Sequence, residues 1–193
     1  MMSDKKRKVI IITDGDEMAR KTVERVAANI GGCCISASAG NPTPISGEKI
    51  LALIKKTNTD PVLIMLDDKG CRQKGKGERA LEFIVKHPDI EVLGVVAVAS
   101  NTKKCKGVEV EQSITLEGKV IDRPVNKDGE PEPEGHHILE GDTVSVLESL
   151  KIPTIIGIGD IGKMHGRDKF ERGARITTQA VKYILERGGF VRE

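Results

Sequence analysis

The chain has 193 residues, 38% hydrophobic and 31% charged, with a formal net charge of +2. That length suits a single α/β domain over 1–193 with a real core, and the near-neutral balance excludes nucleic acid as a bulk electrostatic partner. Aromatic residues are 2% of the chain, with one tyrosine and no tryptophan, too few for a base-stacking platform and suited to an aliphatic parallel sheet covered by helices.

The opening MMSDKKRK is basic, but the apolar run Val9 to Ile12 is too short for a secretory segment. Nowhere do the ~20 apolar residues of a membrane span occur together. A soluble, cytoplasmic protein is expected. The four cysteines (Cys33, Cys34, Cys71 and Cys105) show no CxxC spacing and are expected to be free thiols in a reducing compartment.

Val9 to Thr13 is a β-branched run and predicts a strand buried on both faces. From Glu17 to Ile30, Ala19, Val23, Val26, Ala27 and Ile30 recur at helical spacing, and Gly31-Gly32 ends the helix. Cys33 to Ser38 reads as a short second strand, and a turn-rich loop follows over Ala39 to Pro44. Ser46 is a candidate N-cap for a helix through Lys56. Pro61 to Leu66 is the third strand and ends at Asp67-Asp68, before the basic, glycine-rich KGCRQKGKG and a helix near Glu78 to Lys86. Glu91 to Ala99 is the fourth strand and Pro153 to Ile158 the fifth; a closing helix is expected from about Asp168 to Arg187.

Strands alternating with helices predict a Rossmann-like or flavodoxin-like three-layer α/β sandwich. It would hold about five mainly parallel strands in the order 2-1-3-4-5. An insertion over about 105–142 breaks this rhythm. Val108 to Ile121 alternates around Glu117-Gly118 as a β-hairpin would. The polar DRPVNKDGEPEPEGHHILEGD after it reads as a solvated surface loop.

In a doubly wound sheet the residues just past the strand ends converge on one edge. Here they are Asp14, Asp16, Asp67, Asp68, Ser100, Asn101, Asp160 and Lys163. Carboxylates are hard oxygen donors, so Asp14, Asp16, Asp67, Asp68 and Asp160 are candidate ligands for Mg²⁺ or Ca²⁺. Lys69, Arg72, Lys74, Lys76, Ser100 and Lys163 are candidates for holding an anion. Capping of the following helix is the competing role for Asp14 or Asp16.

Asp14-Gly15-Asp16 resembles half of the Toprim metal signature, without an earlier catalytic glutamate. The aspartates, hydroxyl and lysine also resemble response-regulator receivers and haloacid-dehalogenase phosphatases, but Lys163 precedes Met164 where receivers carry proline. An Mg²⁺-dependent phosphoryl-transfer enzyme or a ligand sensor is therefore the alternative to a non-catalytic module. The loop at 69–77 lacks the P-loop arrangement, and Gly157 to Gly162 comes at the last strand, where no acidic strand follows to complete a dinucleotide fingerprint. His136-His137, among glutamates, reads as polar surface.

Long stretches in order carry a broader likeness: KVIIITDGDEMARKTVE, PVLIMLDDKGCRQKGKGE, VLGVVAVASNT, SITLEGKVIDRPVNKDG and IIGIGDIGKMHGRD. Together they resemble the soluble stage V sporulation protein AE family of endospore-forming Firmicutes. The resemblance implies a non-enzymatic accessory of the system that moves dipicolinic acid, with Ca²⁺, across the spore inner membrane in sporulation and germination. Its implied partners are the membrane proteins of that system; the hairpin and the 122–142 loop are the expected docking surface, and dipicolinate is a candidate ligand. The implied location is spore-associated and peripheral at the inner membrane. It carries no established catalytic residues across.

Overall fold

The computed structural model describes residues 5–69, 74–101, 107–141 and 143–191. Strand β1 (Arg7–Ile12) leads into helix α1 (Glu17–Ile30), β2 (Cys33–Cys34), a 3₁₀ turn, α2 (Gly47–Lys56), β3 (Val62–Met65), α3 (Lys76–Lys86) and β4 (Ile90–Val98). The insertion contributes β5 (Val108–Glu109), β6 (Gln112–Ile114), β7 (Val120–Ile121) and β8 (Ile138–Leu139). Strand β9 (Ile155–Ile158) and helix α4 (Arg175–Arg187) close the chain.

Seven strands form one sheet in the order β2-β3-β1-β4-β9-β6-β7, parallel except for the last pair. The mixed α/β architecture is the expected one. Helices α1 and α4 pack with Ile10, Ile12, Leu63 and Val96 on one face, while α2 and α3 pack with Val9, Ile11, Ile64 and Val95 on the other. Residues 9–12 are wholly buried, and each such aliphatic side chain contributes about 1.5–3 kcal/mol of transfer free energy.

The strand order differs from the expected 2-1-3-4-5: the second and third strands come as β2-β3 beside β1. Burial explains it. Val62–Met65 is four residues long and buried throughout and pairs beside the wholly buried β1, whereas the two-residue, half-buried Cys33–Cys34 pairs with β3 instead. The α1 crossover then runs one way on one face, and α2 and α3 return on the other.

Other expectations need correction. The hairpin is shorter than Val108 to Ile121: β6 and β7 pair around the predicted Glu117-Gly118 turn, but β5 pairs with β8 in a separate two-stranded sheet. Buried Val108 and Leu139 hold that small sheet against the α2–α3 layer. The closing helix begins at Arg175, seven residues later than expected from Asp168. The backbone of Gly173 and Ala174 is left-handed there and interrupts the helix.

Candidate functional site

A cleft of ≈ 290 Å³ opens at the carboxyl edge of the sheet, lined by residues past β1, β3, β4 and β9. Helix α1 follows β1 onto one face, while α3 follows β3 onto the other, so the cleft sits at a topological switch point, where α/β sheets present their ligand sites.

At the β1 end, Asp14 Oδ1 accepts from the amides of Gly15 at 2.7 Å and Asp16 at 3.3 Å. Asp16 caps α1 by accepting from Ala19 N at 2.7 Å. Of this pair Asp16 is therefore the helix cap, and both side chains line the cleft. Gly15 is required because a Cβ there would stand 2.5 Å from the carbonyl of Gly40. That approach brings Asn41 to the cleft rim.

Asp67, from the β3 end, is buried; its Oδ1 accepts from the amide of Asp68 at 2.8 Å and the hydroxyl of Thr143 at 3.3 Å. Asp160, past β9, pairs with Lys163 at 2.8 Å, and the same ammonium lies 3.8 Å from Asp16. The Asp160 carboxylate raises Lys163 above the ordinary lysine range. Burial, then the charges of Asp16 and Asp67, push Asp14 up to about 7. Asp14 thus holds a proton for part of the time at neutral pH, and an internal ammonium neutralises the opposite wall.

The cleft brings together Asp14, Asp16, Asp67, Ser100, Asp160 and Lys163. Asp68 is turned away: its two oxygens accept from Gly77 N at 2.9 Å and Glu78 N at 2.7 Å, capping α3 from nine residues upstream. Lys69, Lys74 and Lys76 do not line this cleft. Lys74 pairs with Glu82 on α3, and Lys76 lies beside Phe83 in the α2–α3 groove. Arg72, Cys71 and Cys105 lie outside the described residues. Among the described residues, no three His, Cys, Asp or Glu side chains gather where one metal ion would sit.

Sequence reasoning missed Lys127. The 122–142 segment is not simply a solvated loop, because its Asn126–Gly129 turn docks on the sheet. Asn126 Oδ1 accepts from the amides of Asp128 and Glu130, and Lys127 O accepts from Asp160 N. Gly159 leaves room for the turn: a Cβ there would stand 2.6 Å from Gly129 N. The close approach of that turn accounts for one glycine of the run read against a dinucleotide fingerprint. The docked turn sets Lys127 in the cleft wall, with no carboxylate partner among the described residues. Asn-x-x-Gly is a legible turn signal, but nothing local says where the turn docks.

Asp168 was also missed. Its wholly buried carboxylate accepts from Gly162 N, Ile176 N, Thr177 N and the Thr177 hydroxyl. It joins the cleft-side loop to the first turn of α4, and burial still holds its carboxyl above the usual range.

A family model described as stage V sporulation protein AE1 matches residues 8–188 of the chain. No curated protein and no solved structure matches it.

Proposed function

The chain belongs to the stage V sporulation protein AE1 family and so has a sporulation-related role; from that premise we propose that it is a non-catalytic accessory of the system that moves dipicolinic acid and Ca²⁺ across the spore inner membrane. The family match over 8–188 carries this reading. No helix among the described residues is long and apolar enough to cross a membrane, which suits a peripheral partner of integral membrane proteins. The edge hairpin β6–β7, with Val120 exposed, is the surface offered to those proteins.

The switch-point cleft is the ligand site in this proposal. Lys127 and Lys163 present ammonium groups to a small dianion such as dipicolinate, and the carboxylates face the Ca²⁺ it carries.

Removing the gene from a spore-former and assaying dipicolinate tests the role. Lower spore content or slower release, restored by the wild-type gene, is the expected result; unchanged content and release overturn it. Calorimetry with millimolar calcium dipicolinate tests the cleft, and absence of heat removes the ligand assignment.

A further inference from the structure

The connection between β9 and α4 carries an unusual excess of cations. Arg167, Lys169, Arg172 and Arg175 are all exposed. None has a carboxylate partner among the described residues; Arg175 donates only to the carbonyl of Glu117. Of the two acids between Arg167 and Arg175, Asp168 is buried and committed to amides, which leaves Glu171 as the exposed one.

Beside it stands the opposite charge. From Asp128 to Glu140 the chain carries Asp128, Glu130, Glu132, Glu134 and Glu140, with no lysine or arginine. An antiparallel bridge between Val125 and Pro131 and the bond from Glu132 N to Pro124 O fold the base of the arm back on itself around the Asn126–Gly129 turn. Glu130 is exposed and accepts from the Asn126 side-chain amide, while Glu132 is half-buried. Glu134 follows at a turn closed by His136 N and Pro133 O, with its side chain 96% exposed.

The two lobes are neighbours. The root of the arm packs on the β9–α4 connection: a Cβ on Gly129 would stand 2.9 Å from the Met164 sulfur, and Lys127 O accepts from Asp160 N. Yet among the described residues no ion pair joins arm to connection; the one cation within 4.0 Å of the arm's exposed glutamates is Arg123, beside Glu134.

A surface with a negative lobe beside a positive lobe is self-complementary, because a two-fold rotation lays each lobe on its opposite in the other copy. We propose that the protein self-associates as an isologous dimer. The acidic 128–140 arm of each copy docks on Arg167, Lys169, Arg172 and Arg175 of the other. A second copy fits better than a strongly acidic or basic partner, since either of those would satisfy one lobe and repel the other. Single exposed ion pairs are weak, so the association depends on the whole reciprocal array and on low screening. The Debye length falls from about 30 Å at 0.01 M salt to about 3 Å at 1 M.

Sedimentation velocity of the full chain tests this without reference to dipicolinate or membrane partners. A dimer is expected at low salt and ~100 μM protein, with its dissociation constant rising at least ~10-fold at 1 M salt. Arg167→Glu/Arg172→Glu and Glu132→Lys/Glu134→Lys should each weaken it to the same degree. Mixed one to one, the two charge-reversed proteins should recover wild-type affinity, since both reciprocal contacts are restored. Arg167, Arg172 and Glu134 are exposed and Glu132 is half-buried, and unchanged circular dichroism checks the folding of both variants. A monomer at low salt, a dimer indifferent to salt or to reversal, or a mixture that stays monomeric each overturns the proposal.

Discussion

The hydroxyl of Thr177 donates to the buried carboxylate of Asp168 at 2.6 Å, and through that carboxylate the first turn of α4 is tied to the amide of Gly162 on the cleft side. Helix α4 has no side-chain cap at its own N-cap residue, Ala174; Asp168 supplies one from outside the helix. Helix α3 is built the same way, with Gly75 at its N-cap and Asp68 reaching its first amides. Two aspartates remote from their helices thus cap α3 and α4 from outside.

Asp168→Ala should be among the most destabilising single changes in the chain. It leaves the amides of Gly162, Ile176 and Thr177 buried without an acceptor, at a cost of about 2–4 kcal/mol. Urea denaturation measures it, and a loss below about 1 kcal/mol would contradict this account.

For Asp68→Ala the expected loss is about 1–2 kcal/mol, the scale of a lost helix cap. Because the damage is local, amide hydrogen exchange should quicken first at Gly77 and Glu78. Uniform protection across α3 in the variant would show that the cap is dispensable.

Asp16→Asn separates the two roles of that residue. An amide oxygen caps as well as a carboxylate, so stability should stay within about 0.5 kcal/mol of wild type, whereas Asp16→Ala loses about 1 kcal/mol. Equal losses in both variants would mean that the ion pair with Lys163, rather than the cap, carries the stabilisation.

The Asp14 carboxyl, raised from 3.8 to about 7 by burial and by its acidic neighbours, makes stability depend on pH with a definite sign. A folded-state pKa above the unfolded one means that the folded protein binds the proton more tightly. The contribution is fully present below about pH 4 and is lost as pH rises through about 7. Asp14→Asn should therefore be more stable than wild type at pH 8, by roughly 1–2 kcal/mol after allowing for partial hydration. The difference should shrink as pH falls below 7. Thermal melts from pH 5 to 8 would refute this if the gap widened toward acid.

Cys34 is held in its thiol form, since burial pushes its pKa up to about 12, and thiolate is the reactive species. Native protein treated with iodoacetamide at pH 8 should remain unmodified at Cys34 and become modified in urea. Rapid native alkylation located there by mass spectrometry would contradict a thiol held in its protonated form.

How far the site could be read before folding depends on the range of the interactions involved. Asp14, Asp16, Asp67, Ser100, Asp160 and Lys163 were legible because each lies just past a buried strand, and strand ends converge in a doubly wound sheet. Asp68 follows β3 equally closely and serves α3 instead. Local pattern cannot tell these apart, because the side chain of Asp68 is captured by amides nine and ten residues ahead.

What the sequence determined by itself was the fold class, the parallel core strands and helix α1 with its cap, all consequences of apolar periodicity and local hydrogen bonding. Tertiary structure alone decided the strand order, the late start of α4, the split of Val108–Glu109 from the β6–β7 hairpin and the arrival of Lys127 beside Asp160. Each of these turns on which distant surface satisfies a segment's backbone and apolar groups. Such a choice has no local signature: the Asn126–Gly129 turn has the same sequence wherever it docks, and only the missing side chain of Gly159 admits it at the cleft.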